Sequence, residues 1–141
     1  MSLGALLNAI RDRNADAFES ALVSVSRSRP PPGLARALSD ALLMPWHCRH
    51  EDVARMLQKL REPCSVDALF EAATSRHDYL DYDECFCLAR KCTWALADIG
   101  TPEARARLEK LALSPNGVIA EFAQKRLNQW EKELQRKGIR Q

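Results

Sequence analysis

Apolar residues recur every three or four positions along almost the whole chain, and no stretch alternates convincingly between apolar and polar residues. The first spacing is typical of one face of an α-helix, whereas strict alternation would indicate a half-buried strand. Prolines at 30–32, at 63 and at 102 interrupt the pattern, and proline ends helices because it lacks a backbone donor. The sequence therefore predicts an all-α fold of about eight short helices.

The clearest predicted helix boundary lies between the sixth and seventh helices. Gly100 suits a left-handed C-cap, Thr101 can accept a hydrogen bond as the next N-cap, and Pro102 fits the first helical position. This order of residues predicts a tight turn between two antiparallel helices.

Other helix ends are marked by single residues. Asn14 or Asp16 is expected to cap the second helix, and Ser65 to cap the fifth. The last helix is expected to run unbroken from Ile119 to Leu134, because its apolar residues keep helical spacing throughout.

A repeat with an offset of 39 residues organises the middle of the chain. Leu57, Leu60, Pro63, Leu69 and Ala73 recur as Leu96, Ile99, Pro102, Leu108 and Ala112. Each helix pair of this kind hides its apolar face only by stacking on a neighbour, which predicts a short α-solenoid of stacked antiparallel helical hairpins. We expect a single domain over 1–141, with 1–33 as an N-terminal capping hairpin and 34–137 as the repeat region.

Composition narrows the class of protein. The 141 residues are 46% apolar and 28% charged, as in ordinary globular domains. Twenty-one cations against 19 anions leave a net charge of +2, too balanced to indicate a nucleic-acid-binding protein.

The expected compartment is the cytoplasm, without membrane association. Arg11 and Arg13 follow the short apolar stretch near the N-terminus instead of preceding it, unlike the charges of a secretory signal. No apolar run approaches the length of a membrane span. Five cysteines, three of them bunched at 85–92, make a poor disulfide framework and are expected to be reduced thiols.

Several segments resemble known helical repeats. The sequence CTWALADIGTPEA at 92–104 resembles a HEAT-repeat core, and segments 46–52, 79–84 and 88–96 resemble small bacterial HEAT-like proteins. Members of that group resemble immunity proteins of polymorphic toxin systems, which bind and neutralise a cognate toxin. The resemblance covers about residues 40 to 135. It implies a HEAT-like solenoid that binds a protein partner, without a cofactor and without chemistry of its own.

Topology predicts where that partner would bind. In stacked hairpins, the segments 45–50, 77–83 and 114–117 link successive hairpins and should share one edge, opposite the turns at 62–65 and 100–102. The candidate contact residues on that edge are Trp46, His47, His50, Asp78, Tyr79, Asp81, Tyr82, Asp83 and Glu84.

Two interpretations of this edge stay open. In the first, the acidic residues only cap helices and the aromatic rings fill gaps between repeats. In the second, they form an acidic aromatic surface for a basic partner, since tyrosine and tryptophan are frequent interface anchors and carboxylates attract cations. A toxin that acts on nucleic acid or a nucleotide commonly has a basic cleft, which such a surface would fit.

Chemical sites are predicted to be absent. The histidines and cysteines at 47–50, 64, 77, 85, 87 and 92 show no Cys-x-x-Cys or His-x3-His spacing, so no metal site is expected. No phosphate-binding loop or nucleophile motif occurs, so no enzyme is expected.

Two other binding functions are less favoured alternatives. One is a general protein-interaction scaffold or accessory subunit. The other is a nucleic-acid-binding HEAT-like repair protein, since cations at 90, 91, 105, 107, 110, 125 and 126 could share a surface, although glutamates are interleaved with them.

Overall fold

The computed structural model describes residues 3–27 and 29–138. Within these ranges the chain forms nine α-helices and two short 3-10 helices and has no strand, which confirms the all-α class. The α-helices are α1 (Leu3–Asp12), α2 (Ala15–Ser26), α3 (Leu34–Leu42), α4 (His50–Leu60), α5 (Val66–Ala72), α6 (Phe86–Ile99), α7 (Pro102–Leu111), α8 (Gly117–Asn128) and α9 (Trp130–Lys137). The 3-10 helices are Pro63–Ser65 and Asp78–Asp83. None of the helices described has both the length and the apolar character that crossing a bilayer requires.

The strongest predicted boundary is confirmed in detail. Gly100 ends α6 in the left-handed conformation, at φ 71°. Thr101 accepts a hydrogen bond from the backbone N–H of Ala104 at 3.2 Å, and Pro102 begins α7. At α2, Asn14 is the cap, because its side chain accepts from the N–H of Ala17 at 3.0 Å.

The predicted capping role of Ser65 is wrong. Its side chain makes no capping hydrogen bond to α5. Instead, the hydroxyl of Ser39 in α3 lies 2.9 Å from that of Ser65, and both residues are buried. The side chain of Ser65 therefore bonds to a distant helix instead of capping α5.

The last predicted helix is divided in two. The backbone departs from helical geometry at Gln129, between α8 and α9. After this turn Trp130 is only 2% exposed, and the guanidinium of Arg105 in α7 lies 5.4 Å from its ring centroid. The turn thus places a large ring in the core, and the described chain has one α-helix more than the sequence predicts.

The helices from α3 to α8 pack in two rows. Helix α4 contacts α6, and α6 contacts α8; in the other row α3 contacts α5, and α5 contacts α7. Glu51 pairs with Lys91 at 2.8 Å near the start of α4, and Gln58 bonds to Asp98 at 2.8 Å near its end. Both pairs are 40 residues apart in sequence, so α4 and α6 run in the same direction.

An ion pair also joins two helices of the second row. Arg107 in α7 pairs with Asp67 in α5 at 3.0 Å, again 40 residues apart. One cluster of buried residues extends from Leu6 in α1 to Leu134 in α9. The HEAT-like solenoid form and the division into a cap at 1–33 and a repeat region stay predictions.

Candidate functional site

Three connections between the rows share one edge of the molecule. We call 43–49, 73–85 and 112–116 the first, second and third links, and the edge that they form the link edge. Helices α6 and α8 also run in the same direction, since the rings of Phe86 and Phe122 lie 6.5 Å apart and Arg126 lies 3.6 Å from the ring of Trp94 further along both helices. Each link leads to the start of α4, α6 or α8, so the three lie on the same side.

Tyr79 of the second link is hydrogen-bonded to the start of α4. Its hydroxyl oxygen accepts from the backbone N–H of His50 at 3.0 Å and lies 2.7 Å from the Nδ1 atom of the same residue. The Nε2 atom of His50 lies 2.6 Å from the carbonyl of Met44. Because a carbonyl can only accept, Nε2 carries the proton, and Nδ1 accepts from the tyrosine hydroxyl.

All three histidines of the chain form one stack, which we call the histidine column. The ring centroids of His47 and His50 are 4.1 Å apart, and those of His50 and His77 are 3.7 Å apart. Phe18 of α2 and Trp46 pack against the ring of His47, with centroids at 4.6 and 5.0 Å. The column therefore joins α2, the first link and the second link.

His47 is also fixed as a neutral ring. Its Nε2 atom lies 2.7 Å from the carbonyl of Ala41 and donates to it, while Nδ1 accepts from the backbone N–H of Arg49 at 3.0 Å. Both ring nitrogens are thus used within the protein.

Burial controls the protonation of this cluster. It lowers the pKa of His50 to about 4, with a further decrease from the neighbouring imidazoles, although the bond to Met44 acts in the opposite direction. Burial also lowers the pKa of His47 and His77. It raises the pKa of Tyr79 to about 12. At neutral pH the column is therefore uncharged and the phenol is protonated.

Three of the predicted contact residues are buried or half-buried beneath the link edge. His47 and His50 are 1% and 0% exposed, so neither side chain reaches a surface where a partner could touch it. Trp46 is half-buried, and its indole N–H donates to the sulfur of Met44 at 3.3 Å. These three side chains therefore contribute to packing beneath the edge.

The remaining aromatic residues do reach the surface. Tyr82 is 77% exposed and Tyr79 is 37% exposed. The charges of Asp83 and Glu51 raise the pKa of Tyr82. Both tyrosine rings of the second link thus reach solvent. Tyr79 is held by its hydrogen bonds to His50, and Tyr82 is largely exposed.

The acidic residues around Tyr82 have different roles. Asp78, Asp81 and Glu84 are exposed, and Asp81 forms an ion pair with Arg76. Asp83 is half-buried and accepts from the backbone N–H of Cys87 at 3.2 Å. Hydrogen bonds from Cys87 and from the start of α6 lower the pKa of Asp83. Asp83 is therefore a helix cap, whereas the other three carboxylates face solvent.

The backbone at the end of the second link is unusual. Glu84 and Cys85 are both in the left-handed region, at φ 56° and 64°, although neither is glycine. The carbonyl of Glu84 accepts from Arg76 at 3.1 Å, and Cys85 is buried against the backbone N–H of His77. These contacts hold the two residues in a conformation that costs an L-amino acid about 1–2 kcal/mol.

A cavity of about 240 Å³ opens beside Tyr79 on the link edge. It is lined by Cys48, Arg49, Glu51, Asp52, Arg55, Tyr79 and Lys91. Its charged residues largely compensate one another, since Glu51 pairs with Lys91 at 2.8 Å and Arg49 lies 3.6 Å from Asp52. The cavity therefore offers no strong field of one sign to a ligand.

The described residues include no group of three or more histidine, cysteine, aspartate or glutamate side chains placed to hold a metal ion. The imidazoles stack face to face, so their nitrogens do not converge on one point. Cys85 and Cys92 are buried and Cys48 is exposed; burial raises the pKa of Cys92 to about 12. That the protein is not an enzyme stays a prediction.

Comparison with protein-family models, with curated proteins and with solved structures finds no match to this chain. The resemblance to HEAT-like immunity proteins therefore stays a prediction. His77 is the residue that sequence reasoning missed, since it figures there only among possible zinc ligands. A signal was present, because all three histidines lie in or beside the links of one predicted edge.

Proposed function

We propose that this protein binds another protein through its link edge, and that the partner is a bacterial toxin which it neutralises. The observation that carries the proposal is the exposure of Tyr82. A tyrosine ring that is 77% exposed buries little apolar area in the free protein, whereas tyrosine is a frequent anchor of protein interfaces.

The charge around this ring supports a basic partner. The second link carries four carboxylates, at 78, 81, 83 and 84, against a single cation, Arg76. Exposed carboxylates beside an aromatic anchor favour the approach of a positively charged surface and disfavour an acidic one. A basic cleft that normally receives nucleic acid or a nucleotide is a surface of this kind, and occlusion of such a cleft is the proposed mode of inhibition.

Ion pairing weighs against the nucleic-acid alternative. Four cations that could line a basic surface are each paired with a carboxylate: Lys91 with Glu51, Arg107 with Asp67, Lys125 with Glu121, and Arg126 with Glu133. Phosphate binding requires cations that are free to replace counterions. The paired residues are poorly suited to that role.

The proposed location is the cytoplasm. The five cysteines carry free thiols, as in most proteins of a reducing compartment. A neutraliser that protects its own cell from a toxin would act there.

The experiment that tests the proposal is capture of the partner from a lysate of the source organism, at low and at physiological salt, with bound nucleic acid measured in the same sample. We expect one stoichiometric protein at both salt concentrations. That protein should inhibit growth when expressed alone and should lose this effect when co-expressed with the chain. A captured protein without toxicity would favour the scaffold alternative, and nucleic acid retained only at low salt would favour the repair alternative.

The contact face is tested with a matched pair of variants. We expect Tyr82→Ala to weaken partner binding by about 2 kcal/mol or more, as for an interface anchor, with the helical circular dichroism unchanged. The control is Leu7→Ala in α1. It also truncates an exposed apolar side chain, since Leu7 is 47% exposed, and it should leave binding unchanged. Equal binding by both variants would show that the contact lies elsewhere.

A further inference from the structure

The histidine column connects the first link, the start of α4 and the second link. His47 and His50 come from the first link and the start of α4, His77 from the second link, and the rings stack at 4.1 and 3.7 Å. The hydrogen bonds from His50 to Tyr79 join the same two segments. Three titratable rings therefore take part in the packing between these segments.

The hydrogen bonds around the buried rings are arranged for their neutral forms. A second proton on His47 would lie on Nδ1, directly opposite the backbone N–H of Arg49, which now donates to that atom. A second proton on His50 would lie on Nδ1 and donate to the oxygen of Tyr79, whose hydroxyl hydrogen would have to rotate away. At His47 a donor would face a donor until the surrounding groups rearranged, whereas at His50 only the tyrosine hydroxyl has to turn.

His77 is the ring through which a proton can enter. It is half-buried, whereas the other two rings are buried. Its Nε2 atom lies 3.3 Å from the hydroxyl of Ser75, which donates its own hydrogen to the carbonyl of Ala72. Nε2 therefore carries the hydrogen, and Nδ1 is the atom that takes up a proton, which would place a cation 3.7 Å from the ring of His50.

A positive charge on the two buried rings would have no hydrogen-bonded carboxylate beside it among the described residues. The hydrogen bonds that the structure describes for these imidazoles go to backbone groups and to hydroxyls, never to a carboxylate. Of the carboxylates near the two buried rings, Glu19 of α2 pairs with Arg49, Glu51 of α4 pairs with Lys91 of α6, and Asp52 lies 3.6 Å from Arg49. On the second link, the exposed Asp78 directly follows His77, and Asp81 pairs with Arg76. Cys48, Tyr79 and Cys85 are further titratable neighbours, and they are uncharged when protonated.

We propose that the histidine column is an acid-sensitive clasp, which holds the first and second links together when neutral and lets them separate when it takes up a proton. Separation breaks the hydrogen bonds of Tyr79 and thereby rearranges the link edge. The opening itself requires no partner. Its consequence, release of a bound protein in acid, rests on the proposed function.

The opening is tested on the untagged chain, whose only histidines are the three of the column. Imidazole signals and backbone amide signals are recorded by NMR from about pH 8 to about pH 3, which covers ordinary histidine titration and extends below the pKa of about 4 for His50. We expect the three imidazole signals to change together, and the amides of both links to change at the same midpoint. The amides of α8 and α9 should not change at that midpoint.

Two results would overturn the proposal. In the first, the imidazoles titrate while the link amides keep their positions. In the second, the whole spectrum converts to that of an unfolded chain in a single step, which would mean that acid disrupts the protein globally.

A variant tests the entry of the proton. His77→Phe keeps an aromatic ring in the stack but cannot be protonated, so a proton must enter at a buried ring, and the midpoint should move to lower pH. The control is Leu113→Ala on the third link, whose side chain is 85% exposed; its midpoint should equal that of the natural chain. An unchanged midpoint in His77→Phe would overturn the assignment.

Partner release is measured separately, on the captured partner at neutral and at acidic pH. If the natural chain releases its partner in acid and His77→Phe releases it only at lower pH, the regulatory role is supported. If the partner stays bound after the links have opened, that role is excluded. Failure of Tyr82→Ala to weaken binding at neutral pH would reject the proposed contact face and would leave the NMR result intact.

Discussion

The side-chain amide of Gln58 donates to a carboxylate oxygen of Asp98 at 2.8 Å, across a separation of 40 residues. Glu51 near the start of α4 and Lys91 in the first half of α6 are joined at the same separation. The two helices are therefore held side by side in one direction and in one register.

Leu96 in α6 has no exposed surface. We expect Leu96→Ala to lower the free energy of unfolding by about 2–5 kcal/mol, because it leaves a cavity among close-packed side chains. Urea denaturation measures the change. Leu113→Ala removes the same atoms from a side chain that is 85% exposed and should change stability by less than about 0.5 kcal/mol. Similar losses in the two variants would contradict the burial described for Leu96.

Tyr79→Phe removes the hydroxyl that bonds to the backbone and ring of His50. Because His50 is buried, its N–H and Nδ1 atoms would lose partners that water cannot easily replace, at a cost of about 1–3 kcal/mol. The free energy of unfolding measures this cost. Tyr82→Phe is the matched control, since its hydroxyl belongs to a ring that is 77% exposed, and we expect no measurable loss there.

Stability should depend on pH in the range where the histidines differ between the folded and unfolded chain. The pKa of His50 is lowered from 6.5 to about 4 in the folded protein. Below pH 6.5 the unfolded chain therefore binds protons that the folded chain does not, so the free energy of unfolding falls as the pH decreases toward 4. His50 contributes at most about 3 kcal/mol to this loss.

Urea denaturation at a series of pH values tests this dependence. Asp83, whose pKa is lowered from 3.8 in the folded protein, adds a loss only at lower pH, so the two contributions can be separated. A free energy of unfolding that stays constant between pH 6.5 and 4 would contradict the neutral, buried state of the column.

Glu84→Gly should stabilise the protein. Glu84 is held at φ 56°, a conformation that costs an L-amino acid about 1–2 kcal/mol and that glycine adopts without this cost. Glycine also makes the unfolded chain more flexible, which lowers stability by about 0.5–1 kcal/mol. The net gain in the free energy of unfolding is therefore roughly 0.5–1 kcal/mol. Thermal and urea denaturation measure the gain. Glu84→Ala removes the same carboxylate without relieving the backbone and should show no gain.

The helices and their ends follow largely from local signals in the sequence. Gly100, Thr101 and Pro102 act on their own backbone neighbours, so their residue types alone indicate the turn. Apolar spacing identifies the buried face of each helix; Leu57 and Leu96, which are 39 residues apart, both have no exposed surface. Topology also suffices to place the links on one edge, because links and turns alternate.

Other features depend on contacts between distant residues, which no local pattern encodes. Serine is a common N-cap residue, but the hydroxyl of Ser65 is hydrogen-bonded to that of Ser39 in another helix. Gln129 lies inside a continuous helical pattern, and the chain turns there as Trp130 packs into the core. His77 meets His50 only because the second link approaches the start of α4, and the spacing of 27 residues between them indicates nothing by itself.

The constant separation of 40 residues makes the middle of the chain modular. A segment that begins at a given position of α4 and ends just before the corresponding position of α6 contains the equivalent of one helix from each row and both connections between the rows. Such a segment returns the chain to the same edge, pointing in the same direction as at its start. Duplicating it would lengthen the protein by one unit without reversing any helix, and would add one more link, with its own set of side chains, to the edge that we propose as the contact face.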